Sequence, residues 1–509
     1  MSMGRRVPIF YNALLLTGVN LLLRLASTGF QVFISGRIGA AGVGLLQLVM
    51  SVASMTMTAG MAGVRTATMY LTAEALGRGK ANQVSWVLSA CFVYSLLCSA
   101  TVGAGVFAFA PSIATHWLGD LRTVGAIRLF AAFLPVSCLV GVMVGYFTAA
   151  SRIRTLAAVE VAEQLCSMAV TAGALQLWAG EDLARACESV VLGGCAGSVL
   201  TLGCLVLLRC REHAPVGRRI PVARRLTETA LPLGLADDQK VGINTVENIM
   251  VPKRLSLYAG KTGALSQFGM VCGMVFPVVM FPAAILFGLA DLLIPEMARC
   301  NASGSRQRIR YLARRSLRVA MIYGAVCGGV LYLVADPLCR GLYRSREAGE
   351  YLRWYALLIP MLYCDLVVDA MNKGLGKQRI CVVFNIATAL MDVAGLYILL
   401  PRWGMTGYFV SFLVSHAVNA ALSMGLLLRS AGIRVRLRVP LLVAACMALG
   451  LGMTEFVADF WWNGPIFLVL LVAGLIFTGV LRAEDGRWLR GLIGNAKIRK
   501  KPDLFEKSV

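Results

Sequence analysis

Charge is what this sequence has least of. Only 15% of its 509 residues are Asp, Glu, Lys or Arg, 58% are hydrophobic, and the mean hydropathy is +0.73. A soluble domain carries nearer a quarter charged residues, so this chain has too little polar surface to stay dissolved. Acidic residues are scarcer than basic ones, 26 against 49 Lys and Arg, which leaves a net charge of +23. The Arg and Lys lie between apolar runs rather than on one soluble face, and this excludes nucleic acid as a partner. Paired cysteines are missing too. The 15 Cys stand singly in apolar text such as VLSACFV and GGCAG, with no C-x-x-C pair. Zinc-ribbon and thioredoxin chemistry therefore lack support, and the thiols read as small buried hydrophobes. The three His (His116, His213, His416) form no H-E-x-x-H pattern, so no metal site is expected. The fragment AGKTGA at 259–264 lacks the upstream glycine of a phosphate loop, since Leu255 stands there. No cofactor and no enzymatic nucleophile are expected. Energy must come from a gradient, the membrane potential or another protein.

What the chain does have is apolar runs of about 20 residues, the length that spans a bilayer. The expected fold class is an all-α polytopic membrane protein with about fourteen spans: 10–35, 42–70, 84–110, 124–147, 156–178, 187–208, 228–252, 265–294, 317–342, 352–373, 380–400, 405–428, 439–457 and 464–481. The first run is too long for the core of a signal peptide and reads as helix one. Most Lys and Arg fall on one set of alternating connections, including GRGK, SRIRT, RCREHAPVGRRIPVARR, ARCNASGSRQRIRYLARR and the C-terminal tail. The positive-inside rule then puts both termini in the cytoplasm of a cell-membrane protein. The two most basic connections are expected to form interfacial helices against anionic lipid.

A displacement of 217 residues lays Arg37 on Arg254, Asn20 on Asp237, Ser27 on Asn244 and Gln31 on Asn248. Beyond a three-residue insertion, GVGLLQL (42–48) lies over TGALSQF (262–268). The pattern predicts two pseudo-symmetric six-helix bundles, 1–208 and 227–428, joined by a basic linker at 209–226. Two additional helices at 439–481 and a basic tail at 482–509 complete the chain. With an even helix count per bundle, both have one orientation, and the repeat axis runs along the membrane normal.

A charge at the bilayer centre costs about 2.5–3.5 kcal/mol on insertion scales, so polar spans face a bundle interior or water. Helix one carries Asn20, Arg24, Ser27 and Gln31, and helix two carries Arg65. Helix five carries Glu160, Glu163 and Gln164. The segment LPLGLADDQKVGINTVENIMVP (231–252) brings Asp237, Lys240, Asn244, Glu247 and Asn248 to helix seven. Asp238 lies off that stripe. Helix ten has Asp365, Asp369 and Asn372 at i, i+4, i+7, and helix eleven has Asn385, Thr388 and Asp392. One-sided stripes on five helices imply a wet central path, on which the polar face of helix seven is expected to lie. Local ion pairing, as between Asp237 and Lys240, is the structural alternative for any single residue. The Gly-x-x-x-Gly pairs at 141/145, 193/197, 269/273 and 324/328 read as helix contacts. Pro135, Pro277, Pro282 and Pro360 should kink or break their helices.

The segment TALPLGLADDQKVGINTVENIMVPKRL resembles the helix-seven region of the stage V sporulation protein B group, within the multidrug/oligosaccharidyl-lipid/polysaccharide exporter superfamily. FPVVMFPAAILFGLADLLIPEMA, NKGLGKQRICVVFN with ILLPRWGMTGYFVS, and LLLRLASTGFQVFISGRIGAAGVGLLQL followed by Glu74 resemble the same group. The resemblance covers helices one to twelve. It implies a flippase that moves an undecaprenyl-pyrophosphate-linked glycan, a peptidoglycan precursor or a polysaccharide unit, between leaflets. It also implies that Arg24 meets the pyrophosphate, for which a bidentate guanidinium is suited. On chemistry alone, Arg65 and Lys240 join Arg24 as substrate-binding candidates, with Asn20, Gln31, Asn244 and Asn248. Glu160, Glu163, Asp237, Glu247, Asp365 and Asp369 are candidates for binding Na+, H+ or sugar hydroxyls. In one departure, DDQK is net acidic where the group reads more like Ser-Arg. Two other functions compete: a cation- or proton-coupled multidrug antiporter of the same fold, and a membrane scaffold for cell-wall synthesis proteins.

Overall fold

The computed structural model describes residues 6–77, 81–150, 152–180, 182–211, 223–432, 438–454 and 460–479, and among them every regular element is helical. In lipid, an α-helix satisfies each backbone N–H and C=O within its own segment, which is why apolar text of this length folds this way. The order is α1 (Arg6–Met61), α2 (Val64–Gly77), α3 (Val84–Ser112), α4 (Val124–Ala149), α5 (Ile153–Ala174), α6 (Leu183–Cys210), α7 (Ala223–Met270) and α8 (Phe276–Met280). There follow α9 (Ala283–Ala302), α10 (Arg306–Tyr343), α11 (Arg346–Ala356), α12 (Ile359–Gly374), α13 (Gln378–Ala431), α14 (Arg438–Thr454) and α15 (Phe460–Phe477). The expected spans fall on these helices, except that 455–457 and 480–481 lie outside the described residues. By length and composition, seven helical stretches are able to cross a membrane, or eight if α11 and α12, bent by 55°, count as one. The chain is a multi-pass membrane protein, and the figure of fourteen crossings stays a reading of the sequence.

Three long helices hold two spans each because a glycine breaks them. Gly39 in α1 has φ 67°, ψ 176°, and Gly260 in α7 has φ 72°, ψ 167°. Gly404 in α13 has φ 54°, ψ −134°, nearly the torsions of Gly180 after α5, φ 54°, ψ −127°. A side chain is strained at such angles, so the chain reverses where Cβ is missing. These turns share one end of the bundle, where Lys253 donates from Nζ to the His116 carbonyl and Arg254 lies 3.3 Å over the Tyr397 ring. We call it the turn end.

Helix two is interrupted at Ala62–Gly63, with φ 42° and 73°, between α1 and α2. Beyond α7, a wider π-type turn at Val271–Val275 leads into α8, and Pro282 then caps α9. Pro277 opens α8, after the π-type turn of a helix that runs on to Met280, and Pro282 and Pro360 stand at breaks, so three of the four expected prolines mark a change of helix. The fourth does not. Pro135 sits inside α4, which runs on as a single helix.

The largest apolar core joins α1 and α7 to α10–α13, and a second joins α2, α3 and α4. The third ties the α14–α15 pair to α10 around the fully buried Phe467. Phe467 fits between Gly329 and Gly450, where any Cβ would meet its ring. The basic connection at 306–318 is the first part of α10. Its Ile309, Ala313 and Leu317 are buried, while Arg306, Arg308, Arg310 and Arg314 are exposed. Residues 212–222 of the other basic connection lie outside the described residues.

Candidate functional site

Polar side chains concentrate along α13, where its two arms face α7 and α12. Asp392, on the first arm, is 5% exposed, and Ser411 on the second arm donates its hydroxyl to Asp392 Oδ1 at 2.5 Å. Glu247, half-buried on α7, comes within hydrogen-bonding reach of the same carboxylate. Two carboxyls in contact hold a proton or a cation between them, because like charges at that distance repel strongly. His416 lies close by, its ring stacked 3.8 Å from that of Phe412 and its Nδ1 3.0 Å from the Phe412 carbonyl. Phe276 and Tyr355 pack edge to face beside Phe412, and the Tyr408 hydroxyl lies 3.9 Å from Cys272 Sγ. These groups wall the acid pair with apolar rings. That is a setting where electrostatic contacts are strong.

One to two turns away along α13, the polar seam continues. Asn419 donates from Nδ2 to Asp365 Oδ2 at 3.0 Å, and the Thr388 hydroxyl reaches Asn419 Oδ1 at 3.5 Å. Asp365 Oδ1 is buried with no partner among the described residues. Asn372, fully buried on α12, donates to the Ser423 carbonyl at 2.9 Å. Asp369 is different. Lys373, one turn on, pairs with it at 2.6 Å, so its charge is compensated within α12 rather than held open for an ion or sugar.

The other candidates are spread more widely. Arg65 is exposed on α2, and its charge acts on Glu160 of α5, which joins a proposed anion contact to a proposed cation contact. Glu163 lies against α6, beside Gly197. Gln31 donates to the Gly273 carbonyl at 3.4 Å and so serves a helix contact. Asn244 is exposed and Asn248 half-buried. The side chains of Asn20, Arg24, Asp237, Asp238 and Lys240 lie outside the described residues, so only their places on α1 and α7 can be stated. Glu247 of helix seven packs toward Asp392 of α13, a member of the helix-eleven stripe. Two residues before it, Thr245 is buried and donates to the Ser51 carbonyl of α1 at 3.2 Å. A helix surrounded on several sides by partners uses its polar groups on more than one face.

Asp392 belonged to the helix-eleven stripe but not to the expected site, and His416, Asn419, Ser411 and Ser415 were not expected there. A signal was present. Ser411, Ser415 and Asn419 recur every four residues in otherwise apolar text. Which helix they would face could not be read from that spacing.

The helices flanking this region meet at both ends. At the turn end, α1 and α7 approach so closely at Gly44 and Gly269 that a Cβ on Gly44 would strike the Leu265 carbonyl. At the opposite end, a Cβ on Gly234 of α7 would lie 2.6 Å from the Ala62 carbonyl carbon. Arg225 of α7 also pairs there with Glu74 of α2 at 3.3 Å. The expected Gly-x-x-x-Gly contacts are of the same kind: Gly145 meets the Arg65 carbonyl, Gly193 the side chain of Thr171, and Gly324 Pro360.

Comparison with known proteins adds to this geometry. The family model described as MatE matches residues 264–398. Stage V sporulation protein B of Bacillus subtilis (strain 168) is 22% identical over 401 residues, 76% of this chain and 77% of that protein. A structure described as lipid II flippase MurJ in an inward closed conformation superposes with TM-score 0.66 at 12% identity, covering 94% of this chain and 100% of that one. A multidrug resistance MATE family transporter of the MOP superfamily, in its inward-facing conformation, superposes with TM-score 0.67 at 14% identity, over 81% of this chain and 95% of that one. The broken helices, the helix contacts at both ends and these superpositions agree: this chain has the fold of the MATE and MurJ transporters of the MOP superfamily.

Proposed function

We propose that this protein is a flippase that carries an undecaprenyl-pyrophosphate-linked glycan across the cytoplasmic membrane by alternating access. The observation that carries this reading is the reach of the superposition on the MurJ structure. Residues 1–431, through the end of α13, are 431/509 or about 85% of the chain, so a match over 94% extends into the α14–α15 pair. The MATE transporter match covers 81%. The similarity to stage V sporulation protein B supports a role in sporulation or vegetative wall synthesis, alongside cell-wall synthesis proteins.

In this mechanism the bundles 1–208 and 227–428 rock about a substrate held between them, and 209–226 links them. The like torsions at Gly39 and Gly260, and at Gly180 and Gly404, support the division. Both termini lie in the cytoplasm, and 439–481 and the tail 482–509 follow the second bundle. The headgroup occupies a wet path while the polyprenyl tail stays in lipid. Arg24 binds the pyrophosphate, with Arg65, Lys240 and the amides Asn20, Gln31, Asn244 and Asn248 around it. Outward passage of each negative charge across the inside-negative potential gains about 2.3 kcal/mol per 100 mV. Glu247, joined by Asp392, takes the coupling Na+ or H+, while Glu160, Glu163, Asp237 and Asp365 bind cation or sugar. The termini-in orientation rests on the distribution of Lys and Arg along the sequence.

The test uses proteoliposomes loaded with a fluorescent undecaprenyl-pyrophosphate sugar. Arg24→Ala should abolish flipping in a protein that still folds, and Arg24→Lys should retain part of it. Flipping by Arg24→Ala at the wild-type rate would refute the assignment. The Glu247–Asp392 pair favours a second reading, a cation- or proton-coupled multidrug antiporter. Resistance to cationic dyes on expression, without flipping, would select it.

A further inference from the structure

A cavity of about 330 Å³ lies away from the polar seam, between α10, α11 and the α14–α15 pair, near the turn end. That is at the small end of the range for ligand sites, roughly 300–1,000 Å³. Tyr332, Pro337 and Leu451 supply apolar wall, and Asp336, Arg353, Thr454 and Asn463 supply the polar groups.

The state of each polar group defines what would fit. Asp336 is satisfied: Arg340, one turn on, grips both its oxygens, Nε to Oδ1 at 3.2 Å and Nη2 to Oδ2 at 2.7 Å. Arg353 is exposed, and no carboxylate lies within ion-pair distance of it among the described residues. With Arg340 and Arg353 against Asp336, the local sum is one positive charge. Asn463 Oδ1 is buried without a hydrogen-bond partner among the described residues. Thr454 spends its only hydroxyl proton on the Leu451 carbonyl at 2.7 Å, which leaves its oxygen as an acceptor. The cavity therefore offers one free guanidinium and two unused acceptors.

We propose that this cavity binds the headgroup of an anionic phospholipid of the phosphoglycerol type. Arg353 takes the phosphate, a planar fork matched to two phosphate oxygens. The glycerol hydroxyls donate to Asn463 Oδ1 and Thr454 Oγ1, and the apolar wall of Tyr332, Pro337 and Leu451 meets the first carbons of the acyl chains. A choline headgroup brings a cation and no donor to a positively charged cavity that needs donors. Bound there, the lipid bridges the α14–α15 pair to the α10–α11 hairpin and adds to what Phe467 holds from within. This site stands independently of the flippase reading, since it uses none of the residues assigned to transport.

The test is native mass spectrometry of the full chain in detergent, titrated separately with phosphatidylglycerol, phosphatidic acid, phosphatidylethanolamine, phosphatidylcholine and glycerol 3-phosphate. The tightest phosphatidylglycerol adduct should be favoured over phosphatidylcholine by about tenfold, the scale of one charge-assisted contact. Arg353→Gln, at an exposed position, should abolish that preference. Arg306→Gln, on the basic start of α10, should leave it intact. Asn463→Leu should erase the preference of phosphatidylglycerol over phosphatidic acid, with the melting temperature checked alongside. Equal binding of phosphatidylglycerol and phosphatidylcholine, or an adduct indifferent to Arg353→Gln, would overturn the proposal. Tighter phosphatidylethanolamine binding would overturn the hydroxyl assignment, and glycerol 3-phosphate binding as well as the lipid would overturn the lipid one.

Discussion

Alternating access requires that the contacts closing the two ends trade against each other, and two glycines give a direct way to test that. Replacing Gly234 by alanine puts a Cβ 2.6 Å from the Ala62 carbonyl carbon, where ordinary contact begins at 3.4 Å, so the helices must part by about 3.4 − 2.6 = 0.8 Å. Both neighbours are backbone, and neither can rotate aside. Overpacking of this kind costs about 1–3 kcal/mol. If a second conformation separates the same pair, that cost falls on only one state and shifts the equilibrium by roughly 5–150-fold. Gly44→Ala does the same at the turn end, against the Leu265 carbonyl. Spin labels at the exposed Arg37 and Thr262 report the turn end, and labels at Ala73 and Arg224 the opposite end. Gly44→Ala should lengthen the first distance and Gly234→Ala the second. The double variant should return toward the wild-type distribution with lower stability. If both single variants open the same end, or neither changes either distance, the two contacts are not opposed gates and the reasoning fails.

Asp392→Asn removes one carboxyl of the Glu247 pair but keeps a group that can accept from Ser411; transport should lose its dependence on the coupling cation, read as flux with and without an imposed gradient, while the protein stays folded. At the turn end, burial alone would raise the Asp120 carboxyl, but hydrogen bonds and charge from Arg122 outweigh it and hold the group below its ordinary value. A depressed carboxyl contributes stability above its unfolded value, near 3.9, and loses it as the pH falls through the folded one. Asp120→Asn should thus lower the melting temperature at pH 7 through a stability loss of about 1 kcal/mol or less, since Arg122 of the pair is exposed to solvent. The difference from wild type should vanish in strong acid. Phe467→Ala should release the α14–α15 pair, seen as new protease cleavage after α13, with the remaining helices intact. In water such a truncation costs about 3–5 kcal/mol. In a bilayer only the packing share remains, since lipid is as apolar as the core.

The helix positions were legible because hydrophobic length is a local property, and Pro282 and Pro360 marked two of the breaks, but the reversals at Gly39, Gly260 and Gly404 were not read from the text. Pro135 shows the limit. A proline accompanies some breaks without enforcing one, since α4 runs on through Pro135 as a single helix. Asp369 shows another. Its i, i+4 relation to Lys373 was present in LYCDLVVDAMNKGLGK, yet the stripe reading took it for an open site. Glu247 is the more instructive case. Its helix could be assigned from the text, and so could the stripe it belongs to.

By itself, the sequence determined that this is an all-helical membrane protein, where most of its helices run, and which ionisable residues fall within its apolar runs. Each of these follows from the cost of exposing backbone or charge to lipid, a cost each segment meets on its own. Only the tertiary structure decided that Glu247 meets Asp392, that Asn419 serves Asp365, that Gly44 and Gly234 are contacts between α1 and α7, and that an unpaired Arg353 faces the cavity under α14. Those pairings depend on how helices far apart in the chain rotate and cross, and that is set by packing among all of them at once.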